Sequence, residues 1–220
     1  MIERDICTKY ITPAIVNAGW DIKRQIREEV TFTDGRVIVR GNVTTRGKRK
    51  RADYILYHKS NFPIAVVEAK DNNHSIWAGM QQAINYADIL DIQFAYSSNS
   101  NGFIEHDLKK GTGTEREISL DEFPTPEELW ERYKETNDIT PEQEKIITEP
   151  YYFTPEDKTP RYYQIIAVNR NIEAVTKGQN RILLVMAIGT GKTYTAFQII
   201  HRLRAAKSKK RFYFYLIEIY

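Results

Sequence analysis

The 220-residue sequence contains one cysteine, Cys7, so no disulfide can form within the chain and a zinc site built on cysteines is excluded. A reducing compartment is the expectation. Long apolar runs are also missing. No stretch approaches a membrane span, and the opening "MIERDICTKYITPAIV", charged from its third residue, lacks the apolar core of a secretory signal. A cytoplasmic protein without membrane association is expected. Charge of one sign is scarce as well, because 32 Lys+Arg against 29 Asp+Glu leave a net charge of +3. A polyanionic partner must therefore be argued from local basic runs. There is no internal repeat and no low-complexity tract.

What is present is a succession of periodic segments. "ERDICTKYITPAIVNAGW" sets Ile6, Tyr10, Ile11, Ile15 and Val16 near helical spacing before Gly19, which predicts a first helix. "RVIVRGN", "RADYILYH" and "FPIAVVEA" are rich in β-branched and aromatic residues and predict three consecutive strands in an antiparallel meander. A helical stripe of Ile76, Trp77, Met80, Ile84, Ala87 and Leu90 follows, and "IQFAYSS" and "GFIEHD" predict two more strands. After residue 124 the pattern changes. "TPEELWERYKE" and "TPEQEKIITE" each place Thr at the N-cap, Pro at the first helical position and Glu or Gln three residues after the cap, predicting two short charged helices. "EPYYFTPEDKTPR" reads as an extended linker that packs onto a neighbour. From Pro160 the order is helix "RYYQIIAVNRNIEAVTK", strand "RILLVMA", turn "IGTGKT", helix "YTAFQIIHRLRAA" and strand "RFYFYLI", the opening of a parallel α/β sheet. The expected organisation is α/β throughout: a first domain over 1–124, a helical and extended linker over 125–159, and an incomplete second domain over 160–220.

Chemistry concentrates at the end of the third predicted strand. Ile64 to Val67 are apolar at consecutive positions, as in a strand covered on both faces, and alternation sends Glu68 and Lys70 to the same side at its end. A lone buried carboxylate costs several kcal/mol, so such groups are paired or metal-bound. An exposed Glu–Lys pair is the plain alternative. Asp53, fifteen residues before Glu68, argues for more, because hairpin pairing of the two strands brings its carboxylate beside Glu68. Two hard carboxylates on adjacent strands suit Mg²⁺, and a lysine on the same face stabilises charge building on a scissile phosphate. Phosphodiester hydrolysis is the reaction these residues point to.

These residues resemble a known nuclease core. "AD", then "EAK", is similar to the PD-(D/E)xK motif, with Ala52 where the motif has Pro, and "QQAINY" resembles the QxxxY element of its RecB-like branch. The resemblance implies a restriction-endonuclease-like mixed sheet flanked by helices. It implies Asp53 and Glu68 as ligands of Mg²⁺, for which Mn²⁺ can substitute, Lys70 as the third catalytic residue, and Gln82 and Tyr86 as supports of the metal site and DNA backbone. Glu3 and Asp5 on the first helix are either solvated charges or a further carboxylate for the site. In "RGKRKRAD", Arg46, Lys48, Arg49, Lys50 and Arg51 form either a solvated loop or a clamp on the phosphates of double-stranded DNA.

The second constellation is "LLVMAIGTGKTYT". An apolar strand, a glycine turn, Lys192 and Thr193 opening a helix make a phosphate-cradling arrangement in which Gly189, Thr190 and Gly191 offer backbone amides, Lys192 reaches the β/γ oxygens of ATP and Thr193 holds Mg²⁺. Met186 stands where the strict P-loop pattern has its first glycine. "MAIGTGKT" resembles motif I of superfamily 2 helicases, and "TPRYYQ" resembles their Q-motif, making Gln164 a candidate reader of adenine with Arg161 or Tyr162 stacked near it. No acidic motif follows, and the 220 residues hold no second RecA-like lobe, so ATP hydrolysis by this chain would lack its base and arginine finger. The ending "RFYFYLIEIY" departs from the family through divergence, truncation or a frameshift.

Together the two constellations resemble the restriction (R) subunit of type I restriction-modification enzymes. That resemblance implies an endonuclease that, in the full-length subunit, cuts DNA after ATP-driven translocation and works with methylation (M) and specificity (S) subunits. Two other readings of the residues stay open: a P-loop ATP-binding fragment whose nuclease-like domain only holds DNA, and a standalone repair or phage-type nuclease.

Overall fold

A computed structural model describes residues 2–33, 37–40, 43–59, 61–111, 113, 115–154, 159–187 and 189–208, with backbone alone for 37–40 and 43–46. The Arg46 side chain, the predicted strand over 211–217 and the middle of the expected linker lie outside the described residues. The chain divides into two compact units, Met1–Asp138 and Ile139–Tyr220. No helix among the described residues is long and apolar enough to cross a membrane.

The first unit opens with α1 (Glu3–Ile6), a single π-helical turn (Cys7–Ile11) and α2 (Thr12–Asn17). The wide turn falls just before Pro13, which has no N–H to donate and crowds the carbonyl four residues earlier, so the helical register shifts there. The strands are β1 (Ile26–Thr33), β2 (Val37–Arg40), β3 (Val43–Arg46), β4 (Arg49–Lys59), β5 (Phe62–Ala69), β6 (Phe94–Asn99), β7 (Gly102–Asp107) and β8 (Arg116–Ile118). Between β5 and β6 a 3-10 turn (Ile76–Gly79) leads into α3 (Met80–Leu90). Six strands form one mixed sheet in the order β1-β4-β5-β6-β7-β8, and among the described residues β2 pairs with β3 alone. The parallel pair in the large sheet is β5–β6, which needs a crossover, and α3 supplies it by packing on both strands. Central β5, β6 and β7 are buried almost throughout, which gives β5 its apolar run in place of alternation, while β6 and β7 each end in buried polar residues.

Two expectations change. "RVIVRGN" contributes β2 to a separate hairpin instead of joining the meander, and the neighbour of β4 on the side away from β5 is β1, "IREEVTFT". Glu28 and Glu29 break the alternation of β1, whose burial is confined to its ends, so its pattern is weak. The register runs from Glu28↔Tyr54 to Val30↔Ala52 and is interrupted at Glu29, whose φ is +52°.

The helix α4 (Pro126–Thr136) belongs to the first unit. Thr125 caps it through the expected capping box with Glu128, and Trp130 stacks on His58 at 4.4 Å between ring centroids. Its other anchor is electrostatic. Glu105 on β7 is 3% exposed, and its carboxylate accepts hydrogen bonds from Arg132 of α4 at 2.6 and 3.0 Å, from Arg116 at 2.9 Å and from the Tyr96 hydroxyl at 2.5 Å. Burial pushes the Glu105 carboxyl up, but the two guanidinium groups outweigh it and leave the group below its ordinary value.

In the second unit, α5 (Pro141–Ile147), α6 (Tyr162–Thr176) and α7 (Lys192–Ala205) pack in sequence, α5 on α6 and α6 on α7. Arg202 of α7 is fully buried and donates to Asn169 Oδ1 at 2.8 Å and to the Ile147 carbonyl at 2.5 Å, joining all three helices. The Gln198 amide brackets the backbone of Tyr152 on both sides, at 3.0 and 2.9 Å, so the start of the extended segment is held on α7. Residues 181–187, expected as a strand, form no ladder, and Leu183 and Val185 are 88% and 83% exposed. A strand exists only against a partner, and the next sequence-predicted strand lies outside the described residues.

Replacing Arg132 by alanine removes two charge-assisted hydrogen bonds from a buried carboxylate. We expect a loss of about 1.5–3 kcal/mol in urea denaturation of the chain. A loss below about 0.5 kcal/mol would mean that α4 is held by its aromatic face alone.

Candidate active site

The antiparallel β4–β5 ladder pairs Tyr54 with Val67 and ends there. Beyond that pair two carboxylates replace the backbone acceptors. The Ala69 amide donates to Asp53 Oδ2 at 2.8 Å, and the Asp53 amide donates to Glu68 Oε1 at 3.4 Å. Where the ladder ends, each strand thus gives an N–H to the other strand's acid, which satisfies the orphaned donors and holds the two acids side by side. The interruption of β1 at Glu29 falls opposite Asp53.

Helix α3 closes the site from above the strand ends. Gln82, two residues into it, donates from Nε2 to Glu68 Oε2 at 2.6 Å and to the Tyr86 hydroxyl at 3.2 Å, while its Oε1 accepts from Lys70 Nζ at 3.3 Å. One amide therefore orients an acid and a base at once. Tyr86 lies edge-on to Phe32 at 5.0 Å, with Lys50 Nζ 5.6 Å from its ring centroid. Lys70 also lies 3.7 Å from Glu3 Oε1, so the first helix does reach the site. Asp5, on the same short helix, is half-buried. Sequence reasoning named Glu3 but left its placement open, because nothing local says where a helix N-terminus docks.

The electrostatics follow from burial. Glu68 is 1% exposed, and desolvation, then the neighbouring Asp53 charge, push its carboxyl up to about 8 against the partial relief given by Lys70. Desolvation also raises Asp53, countered by the Ala69 amide and Lys70. Among the described residues no three His, Cys, Asp or Glu side chains are grouped to hold a metal. The site therefore presents two carboxyls side by side, both raised by burial, Glu68 more than Asp53.

Around this centre, Arg49, Lys50 and Arg51 lie on β4 just before Asp53, and Lys48 is exposed in the turn ahead of it. Arg51 pairs with Glu29 at 3.5 Å, as does Arg4 at 3.6 Å, and both arginines are more than half exposed. An open groove of about 790 Å³ runs beside Gln82 and Tyr86 and is lined also by Lys50, Asn85 and His106.

The glycine turn of the second unit forms a separate candidate site. Gly189 and Gly191 have φ of +75° and +85°, backbone that favours glycine, and α7 begins at Lys192 with Thr193 next to it. The Lys192 ammonium turns back to the Met186 carbonyl at 3.4 Å. The Gln164 amide donates to the Thr190 carbonyl at 3.0 Å and accepts from the Arg161 N–H at 2.8 Å, so it ties the start of α6 to the turn. Arg161 and Tyr162 sit at the same helix start, where Arg161 donates to the Tyr163 hydroxyl at 3.0 Å. A Cβ on Gly191 would lie 2.3 Å from Gln164 Nε2.

A pH signature follows for the metal-free chain. Because folding raises Glu68 from its ordinary 4.5 to about 8, the folded state holds the proton more tightly than the unfolded state does. That stabilisation is complete below pH 4.5 and disappears as pH rises through 8, so the melting temperature in chelator should fall across that window. Glu68→Gln should flatten the fall, and an equal slope in the variant would place the titration elsewhere.

Comparison with known proteins identifies the family of the chain. Residues 21–124 match the family model for the type I restriction enzyme R protein N terminus (HSDR_N), and residues 157–217 match that for the type III restriction enzyme res subunit. The chain is 53% identical over 216 residues to the type I restriction enzyme EcoAI endonuclease subunit of Escherichia coli, covering 97% of this chain and 27% of that protein. Identity to the EcoKI endonuclease subunit of Escherichia coli strain K12 is 28% over 214 residues, covering 76% of this chain and 18% of that protein. A solved fragment assigned to an HsdR subunit of a type I restriction enzyme from Vibrio vulnificus YJ016 superposes with a TM-score of 0.79 at 44% identity, over 94% of this chain and 39% of that one. The chain thus spans about a quarter of the length of the first of these relatives. By sequence and by fold over nearly all of its length, it belongs to the R subunits of type I restriction enzymes and carries their N-terminal domain.

Proposed function

We propose that the first unit is the DNA-cleaving module of such an R subunit, a PD-(D/E)xK-type endonuclease hydrolysing phosphodiester bonds of double-stranded DNA. The observation that carries this reading is the joining of Asp53 and Glu68 through the Ala69 and Asp53 amides, with Lys70 and Gln82 converging on the same point. The donor set fits Mg²⁺, or Mn²⁺ in its place: two carboxylate oxygens from rigid strands, leaving coordination positions for water. Asp53 and Glu68 would hold the ion, and a divalent cation there lowers the pKa of a bound water and neutralises charge on the phosphate.

The chain's own groups supply the rest. Lys70 places its ammonium beside the acids, where it stabilises the negative charge that grows on the phosphoryl oxygens during attack. Gln82 keeps that ammonium and the Glu68 carboxylate in fixed relation, so little reorganisation is needed in the reaction. Tyr86 braces Gln82, and Lys48, Arg49, Lys50 and Arg51 offer charge to the DNA backbone without reading sequence. Exposed pairs such as Arg51–Glu29 are worth so little that a phosphate can displace the acid.

For the second unit we propose the start of a RecA-like motor in which Lys192 and Thr193 serve ATP and Gly189, Thr190 and Gly191 shape the phosphate loop. In this state Gln164 spends its amide on the loop itself; reading adenine would require it to exchange the Thr190 carbonyl for the base. In the full-length subunit, ATP-driven translocation would bring DNA to the first unit, and separate M and S subunits in the cytoplasm would choose the target.

Asp53→Ala, Glu68→Ala and Lys70→Ala should each lower Mg²⁺-dependent cleavage by the full-length enzyme by about a hundredfold or more, with DNA binding retained. A folded Glu68→Ala enzyme that cuts at the wild-type rate would falsify the assignment. Lys192→Ala should abolish ATP hydrolysis and, with it, cleavage by the full-length enzyme. If the 220-residue chain nicks plasmid in Mn²⁺, that nicking should be unaffected by Lys192→Ala, and its loss there would mean the two units do not act separately.

A further inference from the structure

The catalytic lysine lies beneath a turn that carries no chemistry of its own. Lys70 leaves the end of β5 with its amide donating to the Ser98 carbonyl at 2.8 Å, which fixes where its side chain starts. From there the side chain runs under the Ile76–Gly79 turn. A Cβ on Gly79 would come within 3.1 Å of Lys70 Cε and 3.2 Å of Lys70 Cγ, and within 2.6 Å of Ser97 Oγ. Gly79 has φ of −89° and ψ of −12°, a conformation open to any residue, so backbone freedom does not explain a glycine there. Lack of space does. The turn itself is tied down by Ser97, fully buried on β6, whose hydroxyl donates to the Ile76 carbonyl at 2.6 Å. At the far end of the passage the ammonium emerges between Gln82 Oε1, 3.3 Å away, and Glu3 Oε1, 3.7 Å away.

We infer that the Ile76–Gly79 turn, pinned by Ser97, is a positioning device for Lys70, with Gly79 and Ser97 as positioning residues that act through it; this rests on the cleavage role proposed above. Lysine has four rotatable bonds and a strongly hydrated head, so an unroofed Lys70 would spread its ammonium over many positions. Confining the methylenes between β6 and the turn leaves the ammonium one exit, beside Gln82. The contact is with the aliphatic stem, so bulk at Gly79 should displace the lysine while leaving the acids and the DNA-facing charges in place.

The test compares Lys70→Ala, Gly79→Ala and Ser97→Ala by single-turnover cleavage in the full-length enzyme at saturating DNA and Mg²⁺. Each variant is also measured for DNA affinity and melting temperature. Gly79→Ala should cut about a hundredfold more slowly and Ser97→Ala about tenfold more slowly, both with unchanged DNA affinity. In the 220-residue chain with ¹³C-methylated lysines, the Lys70 resonance should move in both variants, a change that a merely structural role would not concentrate at that residue. Should Gly79→Ala fail to fold, Ser97→Ala, which adds no bulk, decides the matter. Wild-type cleavage and an unmoved Lys70 resonance in Ser97→Ala or a folded Gly79→Ala, with Lys70→Ala inactive, would overturn the inference alone. Full activity of Lys70→Ala would overturn the cleavage role beneath it.

Discussion

The first unit depends on the exchange made where β4 and β5 part. Asp53 accepts the Ala69 amide and Glu68 accepts the Asp53 amide, and this places two acids together where burial raises the carboxyls of both, Glu68 the further. Two like charges at the end of a central strand would ordinarily be expelled to solvent. Here the backbone N–H groups, Lys70 and the Gln82 amide make their presence tolerable without cancelling the deficit. The remaining deficit keeps the Glu68 carboxyl well above its ordinary value.

Rigidity around that point comes from several directions. β5 is covered almost throughout, α3 crosses over it to deliver Gln82 and Tyr86, and the first helix brings Glu3 to the lysine. Farther out, the Glu105 network ties β7, β8 and α4 into one body through a buried carboxylate that two arginines keep charged. The two buried acids therefore behave oppositely. Glu105 has guanidinium partners in place and sits below its ordinary pKa, whereas Glu68 has an amide and a shared lysine and sits above it. One is finished as a structural element; the other is left short of positive charge.

The second unit follows a related principle in the glycine turn before α7. Left-handed glycines open α7, and Gln164 holds the turn from α6, so the loop is shaped by a side chain nearly thirty residues upstream. The close approach of Gly191 to that amide makes the glycine a requirement of packing as well as of φ. The apolar segment before the loop has no ladder, which is consistent with a strand that is specified locally but needs a neighbour to exist.

Much of this was legible in the residues themselves. The apolar run ending in Glu68, Asp53 one hairpin away, the i, i+4 spacing of Gln82 and Tyr86, both capping boxes and the glycine turn before Lys192 are local patterns, and local patterns survive without knowledge of the fold. The second neighbour of β4, on the side away from β5, was not legible, because the Glu28–Glu29 break hides a strand whose identity depends on what pairs with it. Nor could the sequence say that Glu3 reaches Lys70, that Gln82 touches acid and base together, or that a side chain at Gly79 would meet both Ser97 and the lysine stem. Those are contacts between segments many residues apart, set by how the turn and α3 lie across β5 and β6. Residue type and spacing determine which groups are available for chemistry, and only the packing of distant segments decides which of them meet.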